Sequence, residues 1–163
     1  MGRDIHMYLV KKGKATEDIY PGRNSEWFSN LIGDGWDDEY DYLPTEAGIS
    51  PQAPKTLDFD ETDLRSKLYH SFFYISVGKF REWFEHYRPD LKAGWVDTYT
   101  KWQIEKKHLM PHEVDTILPE GANIADYHFV EFVDEYDQSR WLYNYLKDNH
   151  YRDDVDITFW FDS

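Results

Sequence analysis

Val155-Asp156-Ile157-Thr158-Phe159-Trp160-Phe161-Asp162 alternates along its length, with Ile157, Phe159 and Phe161 on one side and Asp156, Thr158, Trp160 and Asp162 on the other. A period of two is the signature of a half-buried β-strand. Residues 4–10 repeat the pattern, with Ile5, Met7 and Leu9 set against Asp4, His6 and Tyr8. Lys11, Lys12 and Gly13 end that run. Two matched strands predict one sheet with their polar rows on the same side.

Between these strands the pattern changes repeatedly. Residues 25–32 read as a short helix with Ser25 as N-cap and Trp27, Phe28, Leu31 and Ile32 as its stripe. Residues 33–56 read as a long irregular acidic loop, holding Gly33, Gly35, Gly48, Pro44, Pro51, Pro54 and the run Asp37-Asp38-Glu39-Tyr40-Asp41. Loops of that length inside a compact domain are usually functional or mobile. Residues 60–69 read as a short helix capped by Asp60, and residues 70–75 as a strand. Ser76 then caps a helix whose stripe is Val77, Phe80, Trp83, Phe84 and Tyr87, with Pro89 beyond its end. A further helix is expected over 95–109, on the spacing of Trp95, Tyr99, Trp102 and Leu109. Residues 126–133 read as a buried strand, and Asp137 as the cap of a helix carrying Trp141, Leu142, Tyr145 and Leu146. Strands and helices without regular βαβ alternation predict an α+β class. The expectation is a single domain, 1–163, with a small, mostly antiparallel sheet and helices packed on one face.

Composition narrows the function classes. The chain has 163 residues, enough to bury about 70% of the surface its unfolded form exposes. It contains no cysteine, which fits a reducing compartment and excludes thiolate zinc fingers and a cysteine nucleophile. The net charge of −14 argues against direct nucleic-acid binding, which rests on Lys and Arg neutralising phosphates. Aromatic residues make up 18% of the chain, enough to build a core despite the acidity. No stretch reaches the roughly 20 apolar residues of a membrane span, and the opening residues do not read as a signal peptide. A cytoplasmic location and no membrane partner are expected.

Several short stretches, in order along the chain, carry a resemblance. They are Met1-Gly2-Arg3-Asp4-Ile5-His6, Gly22-Arg23-Asn24, His70-Ser71 and Phe159-Trp160-Phe161-Asp162-Ser163. Together they resemble a family of small phage and prophage proteins that open with Met-Gly-x-Asp-Ile-His and close on Phe-Trp-Phe-Asp-Asn or similar. The chain departs from that pattern at Arg3, where family members often carry Cys, and at Ser25, where they carry an aromatic residue. The resemblance implies a phage-associated accessory protein in a host bacterial cell, with a counter-defence role in view, and it supplies no mechanism.

The residues suited to chemistry are few. Asp4 and His6 share a strand face, as do Trp160 and Asp162, so the four converge if the two strands pair. An Asp–His pair orients an imidazole for acid–base work or for a divalent metal, which Asp4, His6 and Asp162 would hold. Arg23 and Asn24 precede the expected helix at 25–32, where unpaired N–H groups attract anions. His70 and Ser71 add a proton acceptor and a hydroxyl. Plainer readings stand beside each: a solvated strand face for Asp4 and His6, a surface ion pair for Arg23, a cap for Ser25. His108 and His112 have the spacing of a helical metal pair, but Pro111 between them breaks a helix. His86, His128 and His150 are isolated. There is no P-loop, Rossmann, EF-hand or G-x-S-x-G pattern. The acidic blocks at 37–41, 58–63, 131–137 and 153–156 read as solvated surface, or as an imitation of a phosphate backbone if they share a face.

Three readings follow. The first is a phage-type accessory protein binding a small polar or phosphorylated ligand through Asp4, His6, Arg23, Asn24, His70, Ser71, Trp160 and Asp162. The second is an acidic inhibitor that occupies the groove of a basic host nucleic-acid-binding protein. The third is a metal-dependent hydrolase.

Overall fold

The computed structural model of the chain describes residues 4–19, 43–55, 69–106, 118–135 and 137–162, with backbone alone at residues 4, 69–71, 161 and 162. It has two compact units, residues 1–86 with 146–163, and Tyr87–Tyr145. The expectations for 25–32, for 60–68 and for the acidic run at 37–41 lie outside the described residues.

In the first unit the alternating segments become β1 (Asp4–Lys11) and β7 (Asp156–Asp162), antiparallel neighbours from Asp4↔Asp162 to Val10↔Asp156. β2 (Lys14–Ala15), β3 (Glu46–Ala47) and β4 (Tyr69–Ser76) complete a five-stranded antiparallel sheet of order β2-β1-β7-β4-β3. The class is α+β. β7 is the central strand, and that changes one expectation. Its polar row is not a solvated face: Asp156, Thr158 and Trp160 are buried along with Ile157 and Phe159. Edge neighbours alone would leave a face open to water; here Ser50 covers Asp156, and Tyr8, Ala53 and Phe72 pack around Trp160.

Local chemistry sets the connections. β1 turns into β2 at Lys12 and Gly13, both with positive φ (49° and 76°), the conformation of a tight two-residue hairpin. Glycine reaches it at no steric cost. β4 carries a register shift between His70 and Phe73, so one extra residue sits opposite Trp160. Of the segment read as an irregular loop, residues 43–55 are described. They include β3, and they bury Leu43 and Ser50. Ser50 donates a 2.6 Å hydrogen bond to Asp156, which gives that buried carboxylate a partner.

The helix expected after Ser76 is α1 (Val77–Tyr87), and it buries Val77, Phe80, Trp83 and Phe84. Ser76 Oγ accepts from the Lys79 N–H at 3.2 Å, as a cap does. Two backbone bonds fix where the helix begins: the Val77 N–H donates to Val155 O at 2.8 Å, and the Gly78 N–H donates to Asp153 O at 3.1 Å. The Gly78 backbone is so close that an added Cβ would stand 2.9 Å from Asp153 Cβ.

The second unit holds β5 (Leu91–Asp97), α2 (Thr98–Glu105), a 3₁₀ turn (Ile124–Asp126), β6 (Tyr127–Val133) and the first turns of α3 (Gln138–Asp148). β5 and β6 form a two-stranded antiparallel sheet. The helix expected over 95–109 is corrected by this pairing. Residues 91–97 are strand, with Trp95 opposite Phe129, and the helix starts only at Thr98. Asp97 makes the break, accepting from the Thr100 N–H at 2.7 Å, which also holds its carboxyl below the usual range. β6 is not a buried strand either. With one neighbour it alternates, and Phe129, Glu131 and Val133 are exposed. Asp137 caps α3 as expected, accepting from the Ser139 and Arg140 N–H groups at 2.9 and 3.1 Å.

Asp90 sits fully buried between two guanidiniums. Arg88 grips it with two 2.9 Å bonds and Arg140 adds one at 2.8 Å. Its backbone carbonyl accepts from the Asp134 N–H at 2.7 Å. Burial pushes the Asp90 carboxyl up, and the two arginines outweigh it, leaving the group below its ordinary value.

Two measurements check this account. Gly78→Ala places a better helix former in the first turn of α1, yet it should destabilise the protein by about 1–3 kcal/mol, because the new methyl meets Asp153. A rise in melting temperature would show that the close approach is absent. Asp90 has a folded pKa below its unfolded value of about 3.9, so its stabilisation is complete above that pH and is lost as pH falls through the folded value. Protection factors of the β5 and β6 amides, taken against the intrinsic exchange rate at each pH, should therefore fall below about pH 4, and Asp90→Asn should flatten that dependence.

Candidate functional site

The site begins with an imidazole and a carboxylate. His6 lies on β1 at the step paired with Trp160 of β7. Its Nδ1 is 2.9 Å from Asp18 Oδ2, while Asp18 Oδ1 accepts from the Met7 N–H at 3.1 Å. One carboxylate thus bridges the ring and the strand that carries it. A carboxylate only accepts, so the neutral His6 ring donates from Nδ1 and carries its lone pair on Nε2. His6 and Asp18 are each about one-third exposed, at 28% and 32%.

An aromatic layer supports the ring. Trp160 is 2% exposed and stacks with His6 (5.7 Å, 26°), Tyr8 (5.0 Å, 7°) and Phe72 (5.7 Å, 29°). Aromatic pairs of this kind are each worth roughly 0.5–1.5 kcal/mol beyond area burial. Val10 and Ala53 pack in the same cluster. The layer holds the imidazole plane while Asp18 holds its rotation, so the ring has little freedom left. Thr158, one step along the same row of β7, is fully buried, and its hydroxyl has no hydrogen-bond partner among the described residues.

The other expected site residues divide. The Asp4 backbone lies directly across from Asp162, and Asp162 lies across from Tyr69. His6 and Trp160 occupy the next step of the same rows, so the pairing of β1 with β7 brings the Asp4, His6, Trp160 and Asp162 positions together. His70 does not fall in step with them. The register of β4 pairs it with Phe161, in the row of Ile5. Ser71 lies within the register shift. The side chains of Asp4, His70, Ser71 and Asp162 lie outside the described part, as do Arg23, Asn24, His108 and His112 entirely. Among the described residues no group of three or more His, Asp or Glu side chains is placed to hold a metal ion. No described helix is long and apolar enough to cross a membrane.

Asp18 is the residue that sequence reasoning missed. Its signal lay in the hairpin. Lys12-Gly13 as a two-residue turn pairs Lys11 with Lys14 and Val10 with Ala15, and the same count continued brings Asp18 beside Met7. Past the end of β2 the Thr16 N–H donates to Leu9 O in that count, and the Ile19 N–H donates to Met7 O one residue out of it, where the Asp18 carboxylate takes the Met7 N–H.

The Asp18–His6 geometry predicts a spectroscopic signature. In the wild-type protein, ¹⁵N chemical shifts of the neutral His6 ring should report protonated Nδ1, and Asp18→Ala should shift the ring toward the Nε2-protonated form that dominates in free histidine. An unchanged tautomer would mean that Asp18 does not set the ring.

Beyond this geometry there is no guide from likeness: no protein-family model, no characterised protein and no solved structure matches the chain.

Proposed function

We propose that the chain is a phage-type accessory protein that binds a small polar ligand at the end of the β1–β7 pair, where His6 is held by Asp18. The observation that carries this reading is the imidazole fixed on two sides, by a carboxylate at 2.9 Å and by the Trp160 ring. Orientation of that kind is worth most where a ring nitrogen must meet a partner in one geometry. The nearby positions of Asp4 and Asp162 favour a ligand rich in hydrogen-bond donors. A phosphate-bearing ligand additionally calls on Arg23 and Asn24, whose guanidinium and amide suit an anion. The resemblance to phage and prophage proteins supports the accessory and counter-defence part of the reading. A second reading, an acidic inhibitor of a host nucleic-acid-binding protein, is favoured by the net charge of −14.

Adenosine and AMP make a matched pair of probes, one neutral and one phosphorylated. Titration followed at the His6 ring should show saturable shifts, and His6→Ala should abolish binding measured by calorimetry while lowering stability by only about 0.5–1.5 kcal/mol, the worth of its ring contact. Arg23→Ala should cost AMP about tenfold to a hundredfold in affinity and adenosine nothing, the worth of a charge-assisted hydrogen bond of roughly 1.5–3 kcal/mol. Neither probe shifting His6, nor any neutral sugar or amine in a wider panel, would sink the ligand reading. Equal losses for both probes in Arg23→Ala would remove the anion role.

A further inference from the structure

The two faces of the β5–β6 sheet are unlike. Gly94 and Val96 are buried on one of them. On the other, the cross-strand rows are Leu91/Val133, Ala93/Glu131 and Trp95/Phe129. Leu91 is 50% exposed, Phe129 59% and Val133 36%. Trp95 meets Phe129 edge to face at 5.6 Å, which makes a firm aromatic end to the patch. Ala93 and Glu131 are exposed between the two apolar rows. Large apolar side chains in contiguous exposed rows mark interaction surfaces.

We propose that this outer face docks a basic amphipathic helix of a partner protein. Glu131 decides the chemistry. Covering the patch takes its carboxylate out of water, which is costly unless a cation meets it. An all-apolar partner is therefore disfavoured. So is a second copy of this chain, because a two-fold contact across the face brings Glu131 toward Glu131, like charge to like. A Lys or Arg from the partner satisfies the carboxylate, and a guanidinium can also lie on the Trp95 or Phe129 ring. The net charge of −14 draws such a partner from a distance. The dimensions fit a helix. Four strand residues separate the two apolar rows, about 13 Å, and two helical turns cover about 11 Å. Apolar residues at i and i+7 would meet Leu91/Val133 and Trp95/Phe129, and a basic residue at i+3 or i+4 would face Glu131. This surface belongs to the second unit and shares no residue with the His6 site, so either reading can fail alone.

The probe is a Leu/Lys amphipathic peptide of about 18 residues, long enough to be helical by itself. Binding to the full chain is measured by calorimetry, with amide shifts at Phe129 and Glu131 locating it. Glu131→Lys is expected to weaken binding at least tenfold with melting temperature preserved, and Phe129→Ser at least tenfold with the fold retained by circular dichroism at the temperature of the measurement. Glu82→Lys, the same charge reversal on α1, is expected to change nothing. Equal losses in all three variants would mean bulk attraction between opposite charges and would overturn the proposal. Failure of the wild-type protein to bind would overturn it too, as would a concentration-dependent wild-type dimer that Phe129→Ser dissolves.

Discussion

The first unit depends on β7 having a neighbour on each edge. β1 lies on one side and β4 on the other, and with both faces covered by side chains every residue from Asp156 to Trp160 is buried. An alternating sequence in that position is a demand as well as a stabilising feature. Its apolar row can pack like any core, but its polar row has to find partners. Asp156 takes the Ser50 hydroxyl. Trp160 turns its ring faces to His6, Tyr8 and Phe72. The segment 43–55 is held in place by the same demand, since a buried carboxylate left alone would cost several kcal/mol. The long irregular stretch is thus partly structural, and Ser50 is its anchor.

The second unit solves a different problem with different means. Two strands alone are marginal in water. Val96 and Leu142 are buried there, but the strongest fixed point is ionic. Asp90 gathers two arginines and the backbone of Asp134, tying the entry of β5 to the exit of β6 and to α3. Arg88 accepts a positive φ of 47° to make its part of the grip. A bulky residue in that conformation is strained, and it persists where surrounding bonds determine it. A buried carboxylate with two partners is weak evidence for net stability; what it does is hold Arg88, Arg140 and the Asp134 backbone to one point.

What the sequence showed followed from how local each signal was. The period of two at 4–10 and 155–162, the Ser76 and Asp137 caps, and the Phe80-Trp83-Phe84 stripe are all statements about neighbours within a few residues, and the structure has them. The failures came where two periods overlapped. Trp95, Tyr99 and Trp102 fit a helical stripe, yet Leu91, Ala93 and Trp95 fit an alternating strand equally well. Only the pairing of Trp95 with Phe129, more than thirty residues away, chooses between them. β6 looked buried because Tyr127, Phe129, Val130, Phe132 and Val133 are so apolar, and nothing local says that a strand will have a single neighbour.

The candidate site shows the same division at closer range. The Asp4, His6, Trp160 and Asp162 positions were legible because two alternating strands have only two ways to share a sheet side, and one of them sets the polar rows together. The register shift in β4 moves the His70 backbone one step, from opposite Asp162 to opposite Phe161, and a bulge leaves no mark in composition. Asp18 was missed for the opposite reason: its mark was present but lay in a turn. The carboxylate that orients His6 comes from the chain beyond the end of β2, brought beside β1 by the Lys12-Gly13 hairpin, and it is not one of the carboxylates on the His6 face. That origin has a functional consequence. A carboxylate held by the Met7 N–H as well as by His6 is fixed independently of any ligand. The imidazole is therefore oriented before anything binds, and the ordering cost falls on the hairpin during folding and not on the ligand.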